Sequence, residues 1–213
     1  MDNAVRVKCK AVWGSSVLAA AIAALALLAT SGCGKATEGH SPAYLVVDEL
    51  VAASGAEPDK FSNTLISDVL TVVNGTPTVF QDNGRVTLHV ALKDIGGPGS
   101  PNTPSANNRI VVERYHVTYI RADGRNTPGV DVPYGFDGMV TGTISESSSQ
   151  LIFPMVRAAA KAEAPLAALI GGGGAQHISC FAQITFYGHD IAGNAVSVQG
   201  QMTVDFADWG DPA

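Results

Sequence analysis

The sequence predicts a mainly β chain, an antiparallel β-sandwich with one short crossover helix, placed after an N-terminal signal helix that is cleaved. Three observations lead there. Short runs rich in Val, Ile, Thr, Tyr and Phe recur from Tyr44 onward, turn residues break them at close intervals, and a single Ala-rich stretch interrupts the β pattern.

The first segment has the parts of a secretory signal: basic Arg6, Lys8 and Lys10, an uncharged apolar run over 17–28, and small residues before Cys33. The run is about 12 residues long, whereas a spanning helix needs roughly 20, so it reads as a signal core and not a permanent span. Leu28-Ala29-Thr30-Ser31-Gly32-Cys33 resembles the lipobox of bacterial lipoproteins. The resemblance implies that residues 1–32 are a lipoprotein signal peptide cut between Gly32 and Cys33. It also implies that diacylglycerol is transferred to the Cys33 thiol and that the new amino group receives an N-acyl chain. More than one chain is required because a single acyl chain binds a membrane only marginally. Gly34 follows, where an acidic residue holds many enteric lipoproteins in the inner membrane. By that analogy the outer membrane is favoured in a Gram-negative cell. Residues 33–43 read as the lipidated cysteine and a small, polar tether that spans at most about 35 Å.

Without residues 1–33 the chain keeps 10 of its 13 basic and 18 of its 19 acidic residues, a net charge of −8. An acidic chain without clustered Lys or Arg argues against nucleic acid and against adsorption to anionic lipid. The expected partners are therefore the membrane, through the lipid anchor alone, and an envelope protein or glycan. Residues 44–213 suffice for one β-sandwich domain with a substantial core. With Cys33 consumed by lipid, Cys180 has no intrachain partner. In an alternating run beside Ile178, Ala182 and Ile184 it reads as a buried small hydrophobe.

Strands are expected near 44–52, 65–73, 85–95, 109–121, 138–145, 150–156, 177–188 and 195–206. Over 85–93, Val86, Leu88, Val90 and Leu92 share one face, opposite Thr87, His89, Ala91 and Lys93. Over 109–121, Val111, Tyr115, Val117 and Tyr119 fall on one face, opposite Arg114, His116 and Thr118, with both tyrosines in the core. Asp82-Asn83-Gly84 and Asp123-Gly124 read as turns, and 187–194 as the bend of a terminal hairpin. Asp190-Ile191-Ala192-Gly193-Asn194 resembles the D-x-A-G-N turn of bacterial immunoglobulin-like domains, and 114–119 resembles a central strand of a fibronectin type III-like sheet. These likenesses imply an immunoglobulin-like antiparallel β-sandwich and carry no functional residues.

Residues 155–170, rich in Ala with Leu, Lys and Glu, read as the crossover helix, kinked or restarted at Pro165 and stopped by the glycines at 171–174. Its thin polar face of Arg157, Lys161 and Glu163 favours packing on the domain over lying on a membrane. Two long loops remain. The 96–108 stretch of Pro, Gly, Ser and Asn must be solvated, while in 126–138 the residues Val130, Val132, Tyr134 and Phe136 alternate in a way that suits packing.

No paired Cys or His has zinc spacing, and G-x-S-x-G, P-loop and EF-hand patterns are absent from the sequence. No catalytic residue, resident metal or cofactor beyond the lipid on Cys33 is expected. The remaining metal candidates are Asp131 and Asp137 in one loop, and Asp190 with Asn194 in the hairpin turn, as calcium ligands at a sandwich end. Trp209, in the acidic tail, reads as a cap on the domain. Two functions are open: a non-catalytic, lipid-anchored binding or structural module of the cell envelope, or an envelope hydrolase or metal-dependent enzyme with a site assembled from distant loops. For the enzyme, His89, His116, Asp131 and Asp137 are the first suspects.

Overall fold

The computed structural model describes residues 39–210, all within the unit Gly39–Ala213. Gly32, Cys33 and the rest of the expected lipobox lie outside the described residues. In chain order the strands are β1 (Ala43–Ala53), β2 (Thr64–Asp68), β3 (Thr71–Val73), β4 (Thr76–Thr78), β5 (Asp82–Leu92) and β6 (Gly96–Gly97). There follow β7 (Ser100–Pro101), β8 (Ile110–Ile120), β9 (Phe136–Ile144), β10 (Ser149–Val156), β11 (Ile178–Asp190) and β12 (Ala195–Ala207).

Two sheets form, one of order β1-β5-β10 and one of order β2-β12-β11-β8-β9. Every pairing is antiparallel except β2 with β12, which run parallel. The sheets bury their alternating apolar faces against each other as a β-sandwich. Val86, Leu88 and Phe153 come from the first sheet and Tyr115, Ile184 and Phe186 from the second, all within one core. Phe153 lies at its centre, its ring 5.0 Å from Tyr115 and 5.1 Å from Phe186 between centroids. The buried Tyr119 hydroxyl finds its acceptor in the Met155 carbonyl at 2.6 Å, which joins β8 to β10 across the layers.

The β5 face forms as its alternation predicts, with Val86, Leu88 and Val90 inward. In β8 the expected parity fails at Val111. Ile110 and Val112 are inward, as are Tyr115, Val117 and Tyr119. The register against β9 shifts between Val112 and Arg114, and against β11 between Tyr187 and Gly188. Against β11, Glu113 is the additional residue, while against β9 two residues, Val140 and Thr141, oppose it; Glu113 reverses which side of the strand each later residue faces.

Asp82-Asn83-Gly84 is also not a turn. It opens β5, pairing with β1 and β10 on both sides. Gly84 faces inward, where an added Cβ would come within 2.6 Å of Phe153 and 2.8 Å of Met155, so its missing side chain makes room for the core aromatic. The run over 65–73 divides into β2 and β3, because the chain leaves the sheet after Asp68 to form the β3–β4 hairpin. The turn of that hairpin, Asn74-Gly75, has φ of 51° and 79°.

The crossover helix is shorter than its composition suggests. Met155 and Val156 end β10, and α1 (Ala158–Lys161) gives way to 3-10 turns at Leu166–Leu169 and Gly173–Ala175. Pro165 cannot donate to the preceding turn and restricts Ala164, so the helix does not continue through it. The segment packs on the domain as expected, burying Ala160, Lys161, Leu166 and Leu169. Of the four alternating residues in 126–138, Val132 and Phe136 are buried, while Val130 and Tyr134 are exposed. The 96–108 loop is solvated. No helix among the described residues is long and apolar enough to cross a membrane.

The registers give the sandwich two distinct ends. Ala43 at the start of β1 pairs with Leu92, and Ser41 beside it bonds to Asp190 at the tip of the β11–β12 hairpin. The end where the chain enters therefore carries 93–109, 145–148 and the 191–194 turn. β1 then runs eleven residues, about 36 Å, to the opposite end. That end carries 54–63, the β3–β4 hairpin, 121–135, the 157–177 crossover and the tail after Ala207.

Since Phe153 touches aromatics of both layers, Phe153→Ala should cost about 3–5 kcal/mol, read as a lower urea midpoint with an unchanged denaturant slope. A loss below about 1 kcal/mol would mean the two sheets do not depend on this contact.

Candidate functional site

At the far end from the chain's entrance, two features lie back to back. One is a buried charge network. Asp82, on the inward face of β5, accepts Lys161 Nζ at 2.8 Å and the Gly55 N–H at 2.8 Å on Oδ1, and the Ser67 hydroxyl at 2.6 Å on Oδ2. Lys161 and Asp82 are 1% and 0% exposed. Burial pushes the Asp82 carboxyl up, while the ammonium of Lys161, the hydroxyl and the amide favour its charged form. The network joins the loop after β1, β2, β5 and α1.

The other feature is a surface cleft of about 190 Å³. Ser54, Ala56 and Glu57 from the loop after β1, Ile66 and Asp68 from β2, and Trp209 line it. The two features share their backbone supports. Gly55 and Ser67 point to Asp82, while their chain neighbours Ser54, Ala56, Ile66 and Asp68 face the cleft. Trp209 is the expected cap: a Cβ at Gly174 would lie 3.0 Å from its ring, and its backbone N–H donates to Asp68 Oδ1 at 3.0 Å. Asp68 Oδ2 accepts the Thr71 hydroxyl at 2.7 Å. Burial nevertheless pushes the Asp68 carboxyl up, and nearby Asp208 adds to this.

The candidates named from sequence are dispersed. Asp131 Oδ2 accepts the Thr127 N–H at 3.1 Å within its own loop. Asp137 faces solvent on β9 and pairs with His116 at 3.1 Å and Arg114 at 3.8 Å. Asp190 and Asn194 sit at the opposite end and satisfy each other, Asn194 donating its N–H and its side-chain amide at 2.9 Å each. Burial raises the Asp190 carboxyl, but bonds from Asn194, Ser41 and Ala192 outweigh it and hold the group below its usual value. Among the described residues, no three His, Cys, Asp or Glu side chains are placed to hold a metal ion.

His89 and His116 do not meet. They lie on the outer faces of different sheets with the core between them. His89 instead binds Asp48 at 2.7 Å, and Ser148 donates to the other oxygen of Asp48 at 2.8 Å. The carboxylate stands between hydroxyl and imidazole, so His89 does not take the Ser148 proton as a nucleophile's base would. Cys180 is buried, and burial pushes its thiol up to about 12, which keeps it in the unreactive protonated form.

Ser67, Asp68 and Glu57 were not singled out in the sequence, Asp82 was read there as part of a turn, and Lys161, expected on a polar helix face, is instead buried against Asp82. One signal was present for Asp82. Continuing the β5 alternation back from Val86 places Gly84 and then Asp82 on the buried face. No protein-family model matches the chain, and no curated protein matches it.

Two outcomes follow. Lys161→Met should cost about 3–5 kcal/mol by stranding the buried carboxylate, and Asp82→Asn combined with Lys161→Met should recover much of it. Strictly additive losses in urea titrations would show that the two residues do not act as a pair. In the native chain the Cys180 peptide should escape alkylation by iodoacetamide at pH 8 and become labelled only in denaturant. Fast native labelling would contradict its burial.

Proposed function

We propose that the chain is a non-catalytic, lipid-anchored binding or structural module of a bacterial cell envelope, carried on an immunoglobulin-like sandwich. The observation that carries the reading is the arrangement of its two ends. The described chain enters the domain beside Ala43, and the cleft beside Trp209 opens at the other end of β1. Sheet orders β1-β5-β10 and β12-β11-β8-β9, visited by a chain that crosses repeatedly between layers, support the immunoglobulin-like assignment. Parallel β2 extends the second sheet at its edge. The inter-sheet disulfide of antibody domains has no counterpart, since Cys180 is free.

The lipobox residues 28–33 support diacylglycerol and an N-acyl chain on Cys33, and Gly34 favours the outer membrane of a Gram-negative cell. With a mature charge of −8 the domain adds no electrostatic attachment to anionic lipid, so the anchor rests on acyl chains alone. The enzyme alternative receives less support, because His89 and His116 lie on opposite faces and Asp131 and Asp137 are engaged by their own surroundings.

Intact-mass measurement on protein from native membranes tests the anchor. Wild type should begin at Cys33 and carry added acyl mass, and Cys33→Ala should accumulate uncut and unlipidated. Wild type that retains residues 1–32 and lacks acyl mass would overturn the proposal.

A further inference from the structure

We propose that the cleft beside Trp209 is a subsite for one lysine or arginine side chain of a partner polypeptide. This rests on reading the domain as a binding module. Asp68 is the decisive group: it lines the cleft, is only 8% exposed, and has no Lys, Arg or His within ion-pair distance among the described residues. Its donors, the Thr71 hydroxyl and the Leu70 and Trp209 N–H groups, are all neutral. A buried carboxylate without a counter-cation is costly, and a cation brought by a ligand recovers that cost. Asp82, the other deeply buried carboxylate at this end, already has Lys161. Asp190 is also buried without a cation, but it sits inside a closed turn whose Ala192 and Asn194 N–H groups and Asn194 side-chain amide all donate to it.

The rest of the cleft suits the same ligand. Glu57 adds a second carboxylate, balanced only by the exposed Lys60 at 2.5 Å. Ile66 and the Trp209 ring supply an apolar wall for an alkyl stem, and the indole face attracts a cation. The ring is held by its packing on Gly174 and by its N–H to the Asp205 carbonyl at 3.4 Å. A volume of about 190 Å³ admits one side chain and falls short of the roughly 300–1,000 Å³ of drug-sized ligand sites. Among polypeptides, an acidic chain of this kind selects a basic partner.

The chain contains two tryptophans, Trp13 and Trp209, so full-length protein in neutral detergent carrying Trp13→Phe reports the cleft by fluorescence. Titration with acetyl-Gly-Lys-Gly-amide and acetyl-Gly-Arg-Gly-amide should give a saturable change, and acetyl-Gly-Gln-Gly-amide should give none. Asp68→Asn should weaken binding about tenfold or more, and Glu57→Gln, which leaves the buried bonds intact, about two- to threefold. Equal binding of the Gln peptide, or no effect of either variant, would overturn the proposal. Tighter binding of n-butylammonium than of both basic peptides would overturn the polypeptide source. The readout does not depend on acylation of Cys33, so its failure leaves the anchor reading standing, and failure of the anchor leaves this result interpretable.

Discussion

The ion pair between Lys161 and Asp82 is the constraint on which the far end of the sandwich depends. Taking both charges out of water costs several kcal/mol per ion, and only close geometry with further hydrogen bonds offsets that cost. Asp82 meets the condition with three donors from three different segments. The crossover is thereby held in one position. Leu166 and Leu169 then close the core, and Gly174 reaches the Trp209 ring. The same bonds hold Gly55 and Ser67, whose neighbours form the walls of the cleft. The walls of the cleft are therefore held from behind by a buried interaction.

The two ends of the domain differ in how they satisfy their polar groups. Where the chain enters, Asp190 closes a tight hairpin through local bonds to Ala192 and Asn194, and Ser41 joins them. At the opposite end, irregular segments converge from distant parts of the chain, and Asp68 is buried among neutral donors. Regular strands give the sandwich its stiffness, while the groups free to meet another molecule gather where strands give way to loops. On the outer faces, the histidines of β5, β8 and β11 each pair with a carboxylate across a strand.

Much of this architecture was legible from residue patterns. Val86, Leu88 and Val90 declared their face because strand alternation has a period of two and that part of β5 has no bulge. Tyr115 and Tyr119 declared theirs for the same reason. Val111 did not, because Glu113 is an extra residue against β11, and its effect on parity exists only once that strand lies beside it. Asp82-Asn83-Gly84 has the local chemistry of a turn, and what makes it strand is Phe153, which occupies the space a side chain on Gly84 would take. The Ala-rich stretch carries helical propensity throughout, yet Pro165 and the burial of Leu166 and Leu169 reduce it to short turns.

From the sequence alone came the β class, the positions of the eight principal strands, the acidic composition and the buried role of Cys180, together with the expectation of a lipobox at Cys33. These follow from rules that act over a few residues: alternation, turn chemistry, charge and a contiguous motif. The tertiary structure decided that His89 and His116 stay apart, that Lys161 meets Asp82 from 79 positions away, and that Asp68 and Trp209, 141 positions apart, share one cleft. The reason is physical: which polar side chains meet depends on sheet order, strand register and the packing of one layer on another, and none of these is written in any single stretch of chain.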